Sequence, residues 1–396
     1  MPSDRSDFET LIGPDRRRVP RPRGLAAIVL AVGGAILVGL VALWPTDTPV
    51  LDLSEVGFAD EVVRAETVTA TVGPCSYDAT LDCRLYQLTL IEAPVGDIAL
   101  LEFPDEPGQP DLMEGDIVYL AVVEFDDGTV DYQYAGLDRR VLLVVLALVF
   151  AVAVIGLGRL RGVAALIGLA LSIGILLWFI LPAIISGEDA VMVALVGGGA
   201  IAIVSLYLAH GYNPLTHVAA LGAFSALALT TALSWLTVEV ANFSGLVTEE
   251  SFFLLAIPDL DLNGLLLAGI VLGAIGALDD VTVTQASAVW EVHGANPTMG
   301  FDELFESGLR VGRDHIVSTV NTLLLAYAGA SLPLLLFFTL SNQSLGFIAS
   351  SEVVAIEIVR TLVGSIGLVA AVPVTTWLSA RVVSTLADQS STRVSS

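Results

Sequence analysis

Eight apolar runs, each long enough to cross a membrane, constrain this chain more than any other feature of its sequence. They lie near residues 24–44, 141–158, 162–185, 190–209, 215–236, 263–285, 315–339 and 353–380. A hydrocarbon core about 30 Å thick needs roughly 20 apolar residues in helical conformation. Because the bilayer interior offers no water to the backbone, each run is predicted to be a helix. The sequence therefore predicts an α-helical polytopic membrane protein with about eight transmembrane helices.

The composition agrees with this class of protein. Hydrophobic residues make up 55% of the 396 positions, charged residues 15%, and the mean hydropathy of +0.80 is more than a water-soluble globule could bury. These values exclude a soluble enzyme and a disordered protein. The net charge of -25 comes from 42 acidic residues against 17 basic ones, all arginine. Such an acidic chain repels phosphate backbones, so a nucleic-acid partner is excluded as well.

Arginine placement predicts the orientation of the helices. Residues 1–23, expected to be a disordered cytoplasmic tail, carry an arginine cluster next to the first span, and such clusters stay in the cytoplasm. The first run is too long for a signal peptide, so 24–44 is predicted to be an uncleaved anchor. Residues 139–381 then form a seven-helix domain in the cell membrane, with a second cytoplasmic tail at 382–396. Arg139 and Arg140, at the outer end of the second span, are the exception.

Residues 45–138 are long enough for a separate domain, and the orientation makes it extracytoplasmic. Apolar and polar residues alternate in five segments, at 66–72, 84–92, 98–103, 117–125 and 129–135. Such alternation is typical of half-buried strands. Five strands with a turn at Gly115 and Asp116 predict a small β domain with an OB-like barrel. A barrel of this kind can bind a ligand, act as a rigid cap or support a neighbouring protein.

Cys75 and Cys83 are the only cysteines, and both belong to this outer domain. In an oxidising compartment they are predicted to form a disulfide with Cα atoms about 5.5–6 Å apart. A metal site at the two thiols is the weaker alternative, because further ligands are missing nearby.

Acidic residues inside the predicted sixth span are the strongest indication of function. Placing an ionisable residue at membrane depth costs roughly 2.5–3.5 kcal/mol, so such a residue is expected to have a role that offsets this cost. Asp280, Thr284, Ser287 and Glu291 are spaced i, i+4, i+7 and i+11, which places them on one helical face. Asp279 points about 100° away from Asp280 and is a second candidate ligand or the partner of an arginine.

The seventh span repeats this spacing with Asp314, Ser318 and Asn321. We expect the two stripes to face each other across the segment 292–312, towards the cytoplasmic side. Oxygen ligands suit a proton or a hard cation such as Mg²⁺, Ca²⁺ or Mn²⁺. Asp280, Asp314 and Glu291 are the predicted metal ligands, with a divalent cation as the cofactor that suits them. Alternatively, the carboxylates near the end of a span only mark where the helix leaves the membrane, and the hydroxyls and amides join helices.

Other small and charged residues accompany these stripes. Gly269, Gly273 and Gly276 precede the acidic pair, and glycines let helices pack closely or break. A glycine-weakened helix leading to a polar site is typical of discontinuous transporter helices. Glu357 and Arg360 in the eighth span are spaced i, i+3 and are predicted to neutralise each other.

Several segments together resemble the YibE/F-like family of bacterial membrane proteins. They are 276–280 (GALDD), 286–288 (ASA) with Glu291, 312–316 (GRDHI), 321–325 (NTLLL) and 328–329 (AG). The resemblance covers residues 140–380 and implies a multi-pass topology. It also implies that the acidic motif of the family falls on Asp280, Glu291, Asp314 and Asn321. The doubled Asp279 departs from that motif and leaves open which aspartate matters.

Three functions are compatible with these features. The leading hypothesis is a transporter or permease for small ions, a hard cation or proton-coupled, centred on Asp280 and Asp314. The first alternative is an intramembrane aspartyl hydrolase in which two aspartates share a proton, although a GxGD signature is missing. The second is a non-transporting scaffold or sensor with a ligand-binding outer domain. The expected partners are the lipid bilayer and a small ion, and a homo-oligomer is compatible with the sequence.

The orientation can be tested with reporter fusions. A reporter after Ser396 and one within 292–312 are expected to be cytoplasmic, and one near Gln109 external, because the first arginine cluster outweighs Arg139 and Arg140. The measurement is the activity of a compartment-sensitive reporter in intact cells. An external signal from 292–312 together with a cytoplasmic C-terminus would contradict the predicted number of spans.

Overall fold

The computed structural model describes residues 23–46, 61–92, 96–124, 129–246, 249–257, 260–340 and 343–394. The chain divides into two compact units, Met1–Pro49 with Leu157–Ser396, and Val50–Gly156. The predicted N-terminal tail lies outside the described residues except for Arg23.

The first unit is helical. Its helices are α1 (Arg23–Ala42) and, after α2 (Arg140–Gly158), α3 (Leu160–Ile175), α4 (Leu181–Ile185), α5 (Ala190–His210), α6 (Pro214–Ala241), α7 (Glu249–Phe253), α8 (Leu262–Ala295), α9 (Phe301–Ala330), α10 (Leu332–Leu340), α11 (Leu345–Ser350) and α12 (Glu352–Val394). The chain passes from the second unit to the first within α2. A π-helical turn, Leu176–Ile180, connects α3 to α4, and a 3-10 turn, Leu254–Ala256, follows α7. Within the described residues, seven helical segments are long and apolar enough to span a membrane, or eight if the bent α9–α10 pair is one span. The predicted polytopic helical class is confirmed.

The helices extend further than the apolar runs at one end of the bundle. Helix α8 ends at Ala295 rather than near 285, and α9 begins at Phe301 rather than near 315. Helix α12 continues to Val394, through the predicted tail at 382–396, whose last two residues lie outside the description. Hydropathy marks only the part of a helix that lies in lipid. A helix itself continues until a breaker, and Pro297 is the first proline after α8.

Helices α5, α6, α8 and α12 form the centre of the bundle. Its core contains the fully buried side chains Val193 and Leu368, together with Leu278. Helix α8 is unbroken at Gly269, Gly273 and Gly276, contrary to the expectation that these glycines weaken it. The break lies instead at Ser331, where α9 and α10 meet at 64°.

The second unit contains a five-stranded antiparallel sheet. The strands are β1 (Glu61–Pro74), β2 (Asp82–Leu90), β3 (Ile98–Pro104), β4 (Ile117–Glu124) and β5 (Val130–Leu137), in the order β3-β2-β1-β4-β5. The edge strands approach each other where Phe103 meets Tyr134 edge to face, with ring centroids 5.6 Å apart. The result is a half-barrel around the buried Leu88 and Leu120, which agrees with the predicted small OB-like domain.

Helix α2 groups with this sheet rather than with the other predicted spans. Its residues up to Gly156 belong to the second unit, and none of them is buried. At its first residue, the Arg140 guanidinium binds the Asp138 carboxylate at 2.5 Å. These hydrogen bonds lower the pKa of Asp138 to about 2. One of the two arginines that disagree with the predicted orientation is therefore neutralised locally.

The disulfide between Cys75 and Cys83 is present, as predicted. The two Cα atoms are 4.9 Å apart, closer than the predicted 5.5–6 Å. The reason is that β1 and β2 are hydrogen-bonded neighbours at this point: Cys83 pairs with Gly73, and the N–H of Cys75 donates to the carbonyl of Leu81. The bond closes the end of this hairpin.

Replacing both cysteines with serine is expected to lower the free energy of unfolding of the sheet by about 2–3 kcal/mol, because the short loop is no longer closed in the unfolded chain. Chemical unfolding, followed by circular dichroism, measures this change in the free energy of unfolding. Dithiothreitol should destabilise the wild type and leave the double variant unaffected. Labelling of both thiols in the unreduced native protein would contradict the disulfide.

Candidate functional site

Helix α8 carries the acidic pair, and its burial is one-sided. The buried face is formed by Leu278, Val281, Gln285 and Val289, at the spacing of three or four residues that one helical face requires. Asp279 is half-buried beside this face, whereas Asp280 is exposed. Two adjacent carboxylates therefore have different surroundings.

Asp279 is the carboxylate that contacts a second helix of the bundle. Its Oδ2 accepts a hydrogen bond of 2.5 Å from the hydroxyl of Ser205 on α5. Its Oδ1 is buried and has no hydrogen-bond partner among the described residues. The described part of the chain also contains no ion pair to Asp279, so the alternative of an arginine partner is not observed there.

The stripe predicted on α8 lies on its outward side. Asp280, Thr284 and Glu291 are exposed, and Ser287 is half-buried. Because α8 continues to Ala295, Glu291 lies within the helix. The four residues follow one another along one side of the helix, from Asp280 towards the C-terminal end of α8.

The stripe predicted on α9 lies opposite to its packing surface. Gly308 and Gly312 are buried, whereas Asp314, Ser318 and Asn321 are all exposed. Asp314 is two positions after Gly312, which is a rotation of about 200° around the helix. Gly308 and Gly312, together with Leu304 and Ser307, face the bundle, and close backbone contact of this kind drives helix association in membranes. The structure therefore does not bring the two stripes face to face.

The predicted metal ligands are not gathered at one point. Where the structure describes the chain, the only group of three possible ligands whose atoms lie within 4.8 Å of one another is Cys75, Cys83 and Glu102. Its two cysteines form the disulfide, and Glu102 accepts a hydrogen bond from the backbone N–H of Ser76. Asp280, Asp314 and Glu291 do not form such a group.

Gln285 is a buried polar residue that the sequence analysis did not identify. Its amide nitrogen donates to the carbonyl of Gly308 at 2.8 Å and to the hydroxyl of Thr376 at 2.7 Å. The side chain is only 3% exposed, so α8, α9 and α12 meet at this amide. A signal was available in the sequence: Gln285 falls at the spacing of the apolar residues Val281 and Val289.

Helices α6 and α12 are joined by two matched glycine–threonine contacts. Gly222 of α6 lies against Thr375, and Gly367 of α12 lies against Thr230. Both threonines are fully buried, and on both helices glycine precedes threonine by the same interval. These contacts hold α6 and α12 close together in antiparallel orientation. We call this pair of contacts the glycine–threonine seam.

These features define a polytopic membrane protein with a half-buried carboxylate between two helices of its bundle. The family model described as YibE/F-like protein matches residues 146–385, more than half of the chain. The chain therefore belongs to the YibE/F-like family. The matched range includes α8 and α9 with all their predicted site residues and leaves out the sheet. Comparisons with curated proteins and with solved structures found no match.

Gly312→Ala is expected to lower the free energy of unfolding by about 1–3 kcal/mol, because overpacking displaces a close neighbour. A Cβ there would lie 2.5 Å from Val372 Cγ1 and 2.7 Å from Gln285 Oε1. Gly329→Ala on the same helix meets no atom within 4 Å and serves as the control, expected to be neutral or slightly stabilising. Unfolding in detergent, followed by circular dichroism, measures both. Equal effects would show that the contact at Gln285 does not hold α9.

Proposed function

We propose that this protein is a membrane transporter or permease for small cations, with the Asp279 carboxylate as the group that binds the ion or a coupled proton. The observation that supports the proposal is the position of Asp279 between α8 and α5, with one carboxylate oxygen bonded to Ser205 and the other buried without a partner among the described residues. In the predicted orientation the protein lies in the cell membrane, with both termini in the cytoplasm.

The chemistry follows from the absence of a paired arginine in the described residues. Asp279 lies about 26 Å along α8 from Leu262, well inside the helix. An ionised carboxylate in such surroundings is unfavourable unless it acquires a proton or a cation. The neighbouring Asp280 strengthens this need, since two adjacent negative charges repel each other. A proton or a small cation is the simplest species that satisfies the site.

The outward stripe on α8 supplies a route to this carboxylate. Asp280, Thr284, Ser287 and Glu291 extend over about 16 Å towards the end of the helix that is predicted to be cytoplasmic. Asp314, Ser318 and Asn321 add a second polar face on α9. Polar side chains at membrane depth need water or a protein partner, so a water-filled path or a second copy of the chain would cover them.

An intramembrane hydrolase is less well supported. Two catalytic aspartates have to converge on one water molecule. Asp279 and Asp280 diverge by about 100° because they are consecutive residues of a helix. Asp314 lies on the exposed face of α9. No contact in the described residues favours the hydrolase or a purely scaffolding role.

Asp279→Asn is expected to abolish cation or proton flux while leaving insertion intact, because the amide keeps the size of the side chain and loses its charge. Flux is measured in proteoliposomes under imposed gradients of Na⁺, Mg²⁺, Ca²⁺ or Mn²⁺, with a pH-sensitive dye for protons and an ion-sensitive dye or isotope uptake for each cation. Asp280→Asn should be milder, since this residue lies on the exposed side. Asp302→Asn makes the same change on the exposed first turn of α9 and should leave flux unchanged.

Two results would contradict the proposal. One is a normal rate of flux in the Asp279→Asn protein. The other is the absence of flux for every cation and for protons in the wild type, together with unchanged growth of a deletion strain across toxic and limiting metals. The growth experiment also identifies the ion, because sensitivity should be confined to the metal that is transported.

A further inference from the structure

The break between α9 and α10 opens a cavity that is separate from Asp279. Helix α9 ends at Ala330, α10 begins at Leu332, and the two axes meet at 64°. The cavity, about 180 Å³ in volume, lies between this bend and the first turns of α12. For comparison, a dry protein cavity of about 150 Å³ binds benzene. The space is therefore sufficient for a molecule of roughly that size.

The lining of the cavity combines an apolar wall with one carboxylate. Leucine side chains from α9, α10 and α12 form most of the surface. The polar groups are Glu357 and Thr361 of α12, Tyr327 of α9, and Ser331 at the bend. The Thr361 hydroxyl already donates to the main-chain carbonyl of Glu357 at 2.8 Å. Glu357 thus provides the only carboxylate among the lining residues.

Arg360 neutralises this carboxylate from the side. Its Nη1 lies 2.7 Å from Glu357 Oε1, as the i, i+3 spacing predicts. Arg360 itself is not part of the lining, and its Nε is buried without a hydrogen-bond partner among the described residues. Its Nη2 reaches the surface of α8 at Gly269. Among the described residues Glu357 is the one ion-pair partner of Arg360, and a second cation can compete for this carboxylate.

We propose that this cavity binds a small organic cation, namely a protonated amine on an apolar body about the size of a benzene ring. The ammonium group would bind Glu357 in place of Arg360, and the apolar body would contact the leucines. The displaced guanidinium would stay close to Tyr327, which lines the same cavity as Glu357. The site is independent of the proposed ion site, since Gly269 and Asp279 are about 15 Å apart along α8.

The experiment measures binding of benzylammonium to the full chain in phosphatidylglycerol nanodiscs, by isothermal titration calorimetry at neutral pH. These nanodiscs contain no lipid amine. Benzyl alcohol, a neutral molecule of nearly the same shape, is expected to bind at least about tenfold more weakly, because it lacks the charge-assisted hydrogen bond. Glu357→Gln should reduce benzylammonium binding to the level of benzyl alcohol. Glu239→Gln, on the exposed last turn of α6, is the matched control and should bind normally.

Arg360→Met provides a second test that does not depend on the carboxylate variant folding. Removing the competing cation should tighten benzylammonium binding by about tenfold. Weaker binding in this variant would overturn the proposal, because arginine would then be a ligand and the site would suit an anion. Equal binding of benzylammonium and benzyl alcohol, or no binding to the wild type, would also overturn it.

A final arm identifies the source of the amine. Nanodiscs containing phosphatidylethanolamine present the same ammonium group on a lipid. If this lipid weakens benzylammonium binding to the wild type and not to Glu357→Gln, the headgroup of a lipid is a natural occupant. If it has no effect, the site selects a free amine over this lipid headgroup. Both results retain the proposed chemistry at Glu357.

Discussion

The arrangement of α8, α9 and α12 depends on the hydrogen bonds that the Gln285 amide donates. In water, burial of apolar surface would bring three such helices together. In a bilayer the lipid is as apolar as the helices, and association rests on close van der Waals contact and a few buried hydrogen bonds. Gln285 makes two of these bonds, and Gly308 and Gly312 let α9 approach it closely. The sequence thus combines glycine and a single amide at one crossing.

This close packing also explains why Asp279 is half-buried and its neighbour Asp280 is exposed. Gly198 of α5 lies against Ile275 of α8, which brings these helices together one turn before Asp279. The Asp279 carboxylate then accepts a hydrogen bond from Ser205, which is also on α5. A rotation of one residue places Asp280 outside this contact. The chemical difference between the two acids is therefore a result of helix packing and not of their side chains.

The sequence predicted the parts of the fold that depend on a single local period. Membrane thickness determines the apolar runs. Alternation of apolar and polar residues predicted four of the five strands to within two residues at each end, whereas β1 begins five residues before its predicted start. Which side of α9 packs against the bundle could not be predicted in this way. The polar stripe at Asp314 indicated an inward face, whereas Gly308 and Gly312 lie on the packing surface. Likewise, the ends of α8 depend on breakers such as Pro297 rather than on hydropathy.

The glycine–threonine seam has a mechanical consequence. Sliding α12 along α6 by one turn, about 5.4 Å, would move Thr375 from Gly222 to Val218 or Ala226, where a Cβ occupies the space. The same shift would remove Thr230 from Gly367, so both contacts resist translation in either direction. The two helices therefore behave as a single strut. Any motion that changes access from one side of the membrane to the other would have to be a pivot of whole helices around this strut.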